Sequence, residues 1–370
     1  MGACESPSEC KNNIQNISPK SLEEKSTRPY TRIEPKKSRI NLKLNDGFIL
    51  PPNLSKRDDI NKYYNITEKM LGKGSSGIVC VGERNGKQYA IKKIKKENIK
   101  VLETFILEAE ISLQLRHQNI ITYCEIYEDS EYINYVMELG EGGTLFSFIT
   151  GCPLGHLPAD IVIELLIQIF EVVDYLHTEK GIAHRDLKPE NFMITISKSN
   201  KPQLKLIDFG FAAYIPKNGE KFTEHLGTRE YAAPEIFEGK GYCEKVDEWA
   251  IGVIMYNMLT GNAPFGGDSS SEIMDNVRFS IIDFDKIEDK DLKELNGKLL
   301  KRYVYSRISC KEALIELKKI KVERDNYFKG MKRLSKKTPS VILKKEKQEV
   351  KEFKNYWNQK TSNARGKLKM

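Results

Sequence analysis

His184-Arg185-Asp186-Leu187-Lys188-Pro189-Glu190-Asn191 is answered, twenty-two residues after Asp186, by Asp208-Phe209-Gly210. The two stretches bring one candidate proton acceptor and two hard oxygen ligands into a single site. Asp186 can accept the proton of an attacking hydroxyl, while Asn191 and Asp208 can hold the divalent ions that bridge nucleotide phosphates. Phosphoryl transfer is the chemistry these residue types imply.

Working outward, Gly72-Lys73-Gly74-Ser75-Ser76-Gly77-Ile78-Val79 lies between two predicted strands. Glycines there let backbone amides approach phosphate oxygens with no β-carbon in the way. Alone, such a hairpin is as often empty as it is phosphate-binding, and no Gly-Lys-Ser/Thr opens a helix as a Walker loop requires. Beyond the next turn, Tyr89-Ala90-Ile91-Lys92 puts a lysine on a strand, and Glu108 follows on a predicted helix. A Lys92–Glu108 ion pair would hold the ammonium toward the α- and β-phosphates, which outweighs the plain reading of Lys92 as a solvated surface residue.

The rest of the chain sets bounds. Its 370 residues, 39% hydrophobic and 30% charged, suit a globular protein of two lobes with polar appendages. No apolar run approaches eighteen residues, and the start has no secretory pattern. Seven cysteines, scattered and without a Cys-x-x-Cys pair, point to a reduced cytosolic setting without structural zinc. The net charge of +8 is segregated: residues 1–63 carry +4, residues 318–370 carry +13, and the middle carries −9. An acidic body with basic ends argues against nucleic acid as a partner. The ends call for an anionic surface, either a membrane or the body itself.

Residues 1–63, rich in Ser, Asn, Pro and Lys, read as a disordered arm. Short strands are expected at Tyr64–Met70, Gly77–Glu83 and Lys87–Lys93, with Asn85-Gly86 as a hairpin turn. A helix over Val101–Leu115 and strands at Ile121–Tyr127 and Tyr132–Glu138 follow. After Gly142-Gly143 the pattern turns helical, most clearly over Ile161–Thr178 and Asp247–Leu259. The lysine-rich residues 318–370 allow a helix near Glu346–Trp357 but show no core face.

In order and spacing these motifs, with Gly227-Thr228, Ala233-Pro234-Glu235, Asp247-x-Trp249 and Arg307, resemble a eukaryotic protein kinase over roughly residues 64–317. The resemblance implies an α+β fold of two lobes. A small antiparallel-sheet lobe with one main helix would span 64–138, and a larger, mostly helical lobe 139–317. It implies Asp186 as base, Lys188 steadying the transferred group, Asn191 and Asp208 on magnesium (or manganese), and a Glu235–Arg307 salt bridge. ATP would lie under Leu71, Gly72, Gly74 and Gly77. Val79, Ala90 and Met193 would sandwich the adenine, with Met137 as gatekeeper and Glu138 to Gly140 as hinge. Lys188 and Thr228 match the serine/threonine pattern, and the texture is similar to the calcium/calmodulin-dependent group. No Asp-x-Asp-x-Asp-Gly loop with a twelfth-position glutamate occurs, so direct calcium sensing is not part of the reading. Ser112 stands where the family often has leucine in its internal apolar spine. A pseudokinase scaffold would be expected to lack Lys92, Asp186 or Asp208. A small-molecule phosphotransferase would have no use for the Gly227–Glu235 segment.

The ends and the loop carry regulation. Glu224 stands three residues before Gly227, where many kinases are phosphorylated, so its carboxylate can meet Arg185 without an upstream enzyme. Thr223 remains a phosphosite candidate. Glu190 and Glu230 match positions that recognise basic residues before the acceptor, while Thr144 and Asn257 replace acids found in strongly arginine-directed relatives. Arg229 replaces a common proline near the pocket for the residue after the acceptor. Met1-Gly2-Ala3-Cys4-Glu5-Ser6 fits N-myristoylation at Gly2, with Cys4 or Cys10 open to palmitoylation. One acyl chain anchors only marginally, and the run Arg28, Arg32, Lys36, Lys37, Arg39, Lys43 suits anionic lipid as a second signal. Phe328–Lys337 reads as a solvated tail, a pseudosubstrate or calmodulin-type segment, or a membrane contact, with Ser335 an autophosphorylation candidate. The expected state is a monomer in the cytoplasm, held at the membrane by its lipid.

Overall fold

The computed structural model describes residues 32–33, 50–74, 77–140, 142–197, 200–334 and 341–369. Gly2, Cys4, Cys10, Ser75, Ser76, Ser335 and most of the basic arm lie outside them.

In chain order the strands are β1 (Arg32–Ile33), β2 (Asn65–Gly74), β3 (Gly77–Arg84), β4 (Lys87–Lys95), β5 (Tyr123–Glu128), β6 (Tyr132–Glu138), β7 (Ile182–Ala183), β8 (Phe192–Ile196), β9 (Pro202–Leu206), β10 (Ala213–Tyr214) and β11 (Gly227–Thr228). The α-helices are α1 (Leu102–Gln114), α2 (Leu145–Thr150), α3 (Ala159–Asp174), α4 (Val246–Thr260), α5 (Ser270–Phe279), α6 (Lys290–Leu299), α7 (Cys310–Leu334) and α8 (Val341–Lys369). The first lobe is an antiparallel sheet in the order β2-β3-β4-β6-β5. Asn85, at φ 54°, and Gly86, at φ 72°, make the β3–β4 hairpin, the conformation that Asn-Gly favours. The register pairs Val79 with Lys92 and Ala90 with Met137, which puts four predicted nucleotide-site residues on adjacent strands.

The larger lobe is built on α3 and α4. Val162, Leu165, Leu166, Ile169, Phe170 and Val173 are buried along α3 at helical spacing, and α4 is buried nearly all round. That makes α4 the core post of this lobe. Its cap Gly261 adopts φ +70°, where an added Cβ would meet the Gly155 carbonyl oxygen at 1.9 Å.

Both ends correct the sequence reading. Residues 50–63, read from composition as disordered arm, are ordered: Leu50, Leu54 and Ile60 are buried there. The Leu50 N–H and the Ser55 hydroxyl each donate to Glu128 Oε2 at 2.9 Å, and Lys96 pairs with the same carboxylate at 2.8 Å. Leaving that buried carboxylate without donors would be costly, so it ties the segment down. Within the arm, β1 is a further short strand.

The tail departs further. No chain break or turn marks residue 317, because α7 runs straight through it, and Arg324 pairs with Asp160 at 3.0 Å and with Asp289. α8 then lays Phe353, Tyr356 and Trp357 against Phe148 of α2, with ring centroids 5.5 to 5.7 Å apart. Tyr356 Oη donates to the Phe148 carbonyl at 3.0 Å and Trp357 Nε1 to the Asn200 carbonyl at 2.7 Å. The core face absent from the linear reading is this aromatic cluster, one turn of an otherwise lysine-rich helix. Paired edge-to-face rings add roughly 0.5–1.5 kcal/mol each to the burial of the rings themselves.

Candidate active site

Three short hydrogen bonds define the centre. Lys188 Nζ donates to Asp186 Oδ2 at 2.9 Å and to Thr228 Oγ1 at 2.7 Å, and the Thr228 hydroxyl donates to Asp186 Oδ1 at 2.8 Å. Asp186 is 8% exposed, so these donors fix a carboxylate in a largely dry cleft. Thr228 comes from a segment 40 residues downstream of Lys188. Gly227 makes that approach possible: it adopts φ +103°, and a Cβ there would sit 2.8 Å from the Arg185 carbonyl oxygen.

Asn191 closes the catalytic loop, its amide nitrogen donating to the Asp186 carbonyl at 2.8 Å. The hairpin β8–β9 then carries Asp208 to it: the Ile207 N–H donates to the Asn191 carbonyl at 3.0 Å, one residue before Asp208. The Gly210 N–H donates to Asp208 Oδ1 at 3.0 Å. An amide oxygen and a carboxylate, with no thiolate or imidazole in the set, are the donors a hard cation such as Mg²⁺ takes. The residues therefore fit the metal that the site's chemistry requires. Lys92 lies 3.7 Å from Glu108 across the β4–α1 contact, as the ion-pair reading expects. Ala90 and Met137 are buried side by side, and a Cβ at Gly140 would come within 2.4 Å of Met193 Cγ. The chain crosses from lobe to lobe close against the Met193 side chain. Glu138 of the hinge pairs with Lys205 at 3.1 Å. Leu71, Gly72, Gly74, Gly77 and Val79 lie on the β2–β3 hairpin.

Behind the centre stands a buried brace. Asp247, 1% exposed, accepts at 2.8 Å from the backbone N–H of His184, from that of Arg185 and from His177 Nε2. Arg185 holds φ 66°, a left-handed conformation that costs a non-glycine residue on the order of 1 kcal/mol or more and persists only when its surroundings enforce it. The Asp247 bond to its N–H supplies part of that enforcement. Burial alone would lower the His177 pKa, but the hydrogen bond to Asp247 outweighs it and raises the pKa to about 9. Burial likewise works against the Asp247 carboxylate, and His177 holds it below its ordinary value. Glu248 sits beside them, its pKa raised by burial, accepting from the Cys310 N–H at 3.2 Å.

A pH dependence follows. The folded state holds the His177 proton more tightly than the unfolded chain, so this contribution is fully present below about pH 6.5 and is lost as pH rises through about 9. Between those values the wild type is expected to lose on the order of 2 kcal/mol more unfolding free energy than His177→Gln, which does not titrate. Urea denaturation at both pH values checks this; parallel losses in the two proteins would refute it.

The spine and activation segment complete the site. His184 faces Phe209 at 5.5 Å and Phe209 faces Tyr123 at 6.5 Å, a stack running from the catalytic loop into the sheet. Burial pushes the His184 pKa down, which favours the neutral imidazole. Ser112 is buried at the top of this stack. Arg185 Nη1 donates to Glu224 Oε2 at 3.2 Å while its guanidinium lies 4.5 Å over Phe222. Thr223 is exposed next to Glu224. Arg307 meets Glu235 with two bonds, 2.6 and 3.0 Å. The sequence reading missed His177, Glu248 and Tyr123; the first is separated from its partner Asp247 by 70 residues. A histidine ending a buried helix, with a buried acid downstream, was the available signal.

Comparison with known proteins agrees with this geometry. A profile of the protein kinase domain matches residues 64–316. Calcium-dependent protein kinase 5 of Plasmodium berghei is 37% identical over 290 residues, which are 76% of this chain and 50% of that protein. Human death-associated protein kinase 2 is 36% identical over 277 residues, 71% of this chain and 74% of that one. Calcium-dependent protein kinase 25 of Arabidopsis thaliana is 37% identical over 270 residues, 70% and 51% of the two chains. The chain spans about half the length of the calcium-dependent relatives it matches. With a two-lobed fold, a closed Asp186–Lys188–Thr228 centre and a matching profile over most of its length, the chain belongs to the protein kinase family.

Proposed function

We propose that this protein transfers the γ-phosphate of ATP to serine and threonine hydroxyls of protein substrates. The observation that carries this reading is the Asp186–Thr228–Lys188 triangle, in which a base, a cation and the peptide-docking segment share one set of hydrogen bonds. The acceptor hydroxyl approaches beside Thr228 and gives its proton to Asp186. Lys188 stabilises the negative charge of the group in flight, and Lys92, held by Glu108, orients the phosphates that stay behind. Asn191 and Asp208 would hold magnesium, which would supply charge neutralisation of the phosphates; manganese would suit the same oxygen donors. A pseudokinase scaffold would need this equipment broken, and each part is present. Incubation with Mg-ATP and a basic serine peptide, against an Asp186→Asn control, tests the reading. Equal phosphate incorporation in the two would end it.

Basic peptides are preferred through Glu190 and Glu230, and the preference is moderate because Thr144, the cap of α2 that accepts from the Ser147 N–H at 3.2 Å, and Asn257 carry no charge where acids would strengthen it. The activation segment is ordered by Glu224 rather than by a phosphate. Its carboxylate is half exposed, so the pair with Arg185 is modest, and Glu224→Ala is expected to lower kcat about three- to tenfold in steady-state assays. Unchanged kcat would count against the pair. Myristoylation at Gly2, with Cys4 and the basic arm as second signal, would place a cytoplasmic monomer at anionic membranes. A Gly2→Ala protein that stays in the membrane fraction would remove that reading. The tail remains a candidate for calmodulin or autoinhibitory contact, and the docking of α8 on the large lobe through Tyr356 and Trp357 supports a contact between tail and body.

A further inference from the structure

β1, two residues of the arm, pairs antiparallel with β11: Arg32 lies opposite Thr228 and Ile33 opposite Gly227. β11 is not an ordinary edge. Thr228 donates to the base Asp186 at 2.8 Å, and Gly227 is pressed against the catalytic loop at the Arg185 carbonyl. A chain segment in register with Thr228 therefore runs where the backbone of an acceptor peptide must run to reach Asp186. Strand addition to an exposed edge is a general mode of peptide capture, in which main-chain bonds give affinity and the register selects side chains.

We propose, on the basis of the kinase reading above, that the arm around Arg32–Ile33 is an intramolecular ligand of the acceptor-peptide site, with Arg32 in the place of the phosphorylated residue. An arginine there has no hydroxyl to offer, so the segment occupies the site without being consumed. Charge complementarity supports the assignment. Arg28 precedes Arg32 by four residues, the arm carries +4 and the body −9. Two residues beyond Thr228, the buried Oε2 of Glu230 accepts no hydrogen bond among the described residues, a carboxylate oxygen suited to a cationic side chain of a bound peptide.

A two-residue ladder is weak in itself, and tethering is what makes it effective. The arm is fixed at Leu50, so its local concentration at the site is of millimolar order. With an intrinsic affinity of the short ladder of roughly 0.1–0.5 mM, that local concentration raises the apparent KM for an external peptide about three- to tenfold while leaving kcat unchanged.

The test uses the full chain with both ladder residues replaced, Arg32→Pro and Ile33→Pro, since proline has no N–H to donate. Steady-state assays should show the KM for a basic acceptor peptide falling about three- to tenfold, with kcat and the KM for ATP unchanged. Anisotropy of a fluorescein-labelled copy of that peptide, titrated without nucleotide, should show the same gain in affinity. Equal affinity in the wild type and the double variant would overturn the proposal. A second variant reads the register: Arg32→Ser in the full chain should acquire phosphate on the introduced hydroxyl at a rate per molecule independent of protein concentration. In that step the introduced serine oxygen bonds to the γ-phosphorus, the bond to the β-bridging oxygen breaks, ADP leaves and Asp186 takes the proton. Phosphate on the added peptide but none on the introduced serine would overturn the placement of Arg32. If no peptide is phosphorylated by any form, the kinase reading has failed, and the nucleotide-free anisotropy still decides the arm.

Discussion

Asp186→Asn should retain the fold and lose the catalyst: kcat is expected to fall by about 10²- to 10⁴-fold, the range that a positioned general base contributes. The two side chains have the same shape, so Oδ1 still accepts from Thr228 at the 2.8 Å position. At the other atom an amide NH₂ replaces the oxygen that accepts from Lys188 at 2.9 Å, setting donor against donor and leaving nothing to take the acceptor's proton. KM for ATP should change by less than about twofold, because the loss is confined to the transition state. Single-turnover transfer of the γ-phosphate, beside calorimetric ATP binding, separates the two effects. A variant with more than a tenth of the wild-type kcat would show that Asp186 is not the base.

Glu235→Ala should do the reverse, unfolding the large lobe before it alters chemistry. The Arg307 side chain is 0% exposed and makes both of its carboxylate bonds to Glu235. Removing one partner of a buried pair leaves the other charge uncompensated, at a cost of about 3–5 kcal/mol, a large fraction of a domain's net stability. The remaining Arg307 contacts, to the carbonyls of Lys245 and Lys301 and over the Trp249 ring at 5.2 Å, do not neutralise it. Chemical denaturation should report the loss directly. Glu235→Ala combined with Arg307→Met should recover much of it, since an apolar pair has no charge to strand. A single variant within about 1 kcal/mol of the wild type would refute the account.

The site was legible in sequence to the extent that its chemistry is local. Asp186, Lys188 and Asn191 lie within six residues, and Asp208 is bound to its glycine turn, so residue type and spacing suffice. Glu235–Arg307 was legible only through resemblance, because no local rule pairs residues 72 positions apart. What escaped is held by distant partners. Leu50 is anchored by Glu128, 78 residues on, and His177 by Asp247. The aromatic face of α8 finds Phe148 more than 200 residues back. Proline- and lysine-rich composition hid both ends, since a few anchoring side chains outweigh many polar ones once a receptive surface exists. β1 was illegible for a different reason: two residues show no periodicity.

The unbroken run of α7 through residue 317 has a practical meaning for anyone cutting this chain. A fragment trimmed to the family boundary would discard Arg324 and strand the carboxylates of Asp160 and Asp289, and it would open the Phe148 surface to water. Such a fragment would be stickier and less stable than its parent, and a change in its rate would report damage to the large lobe as readily as release from control.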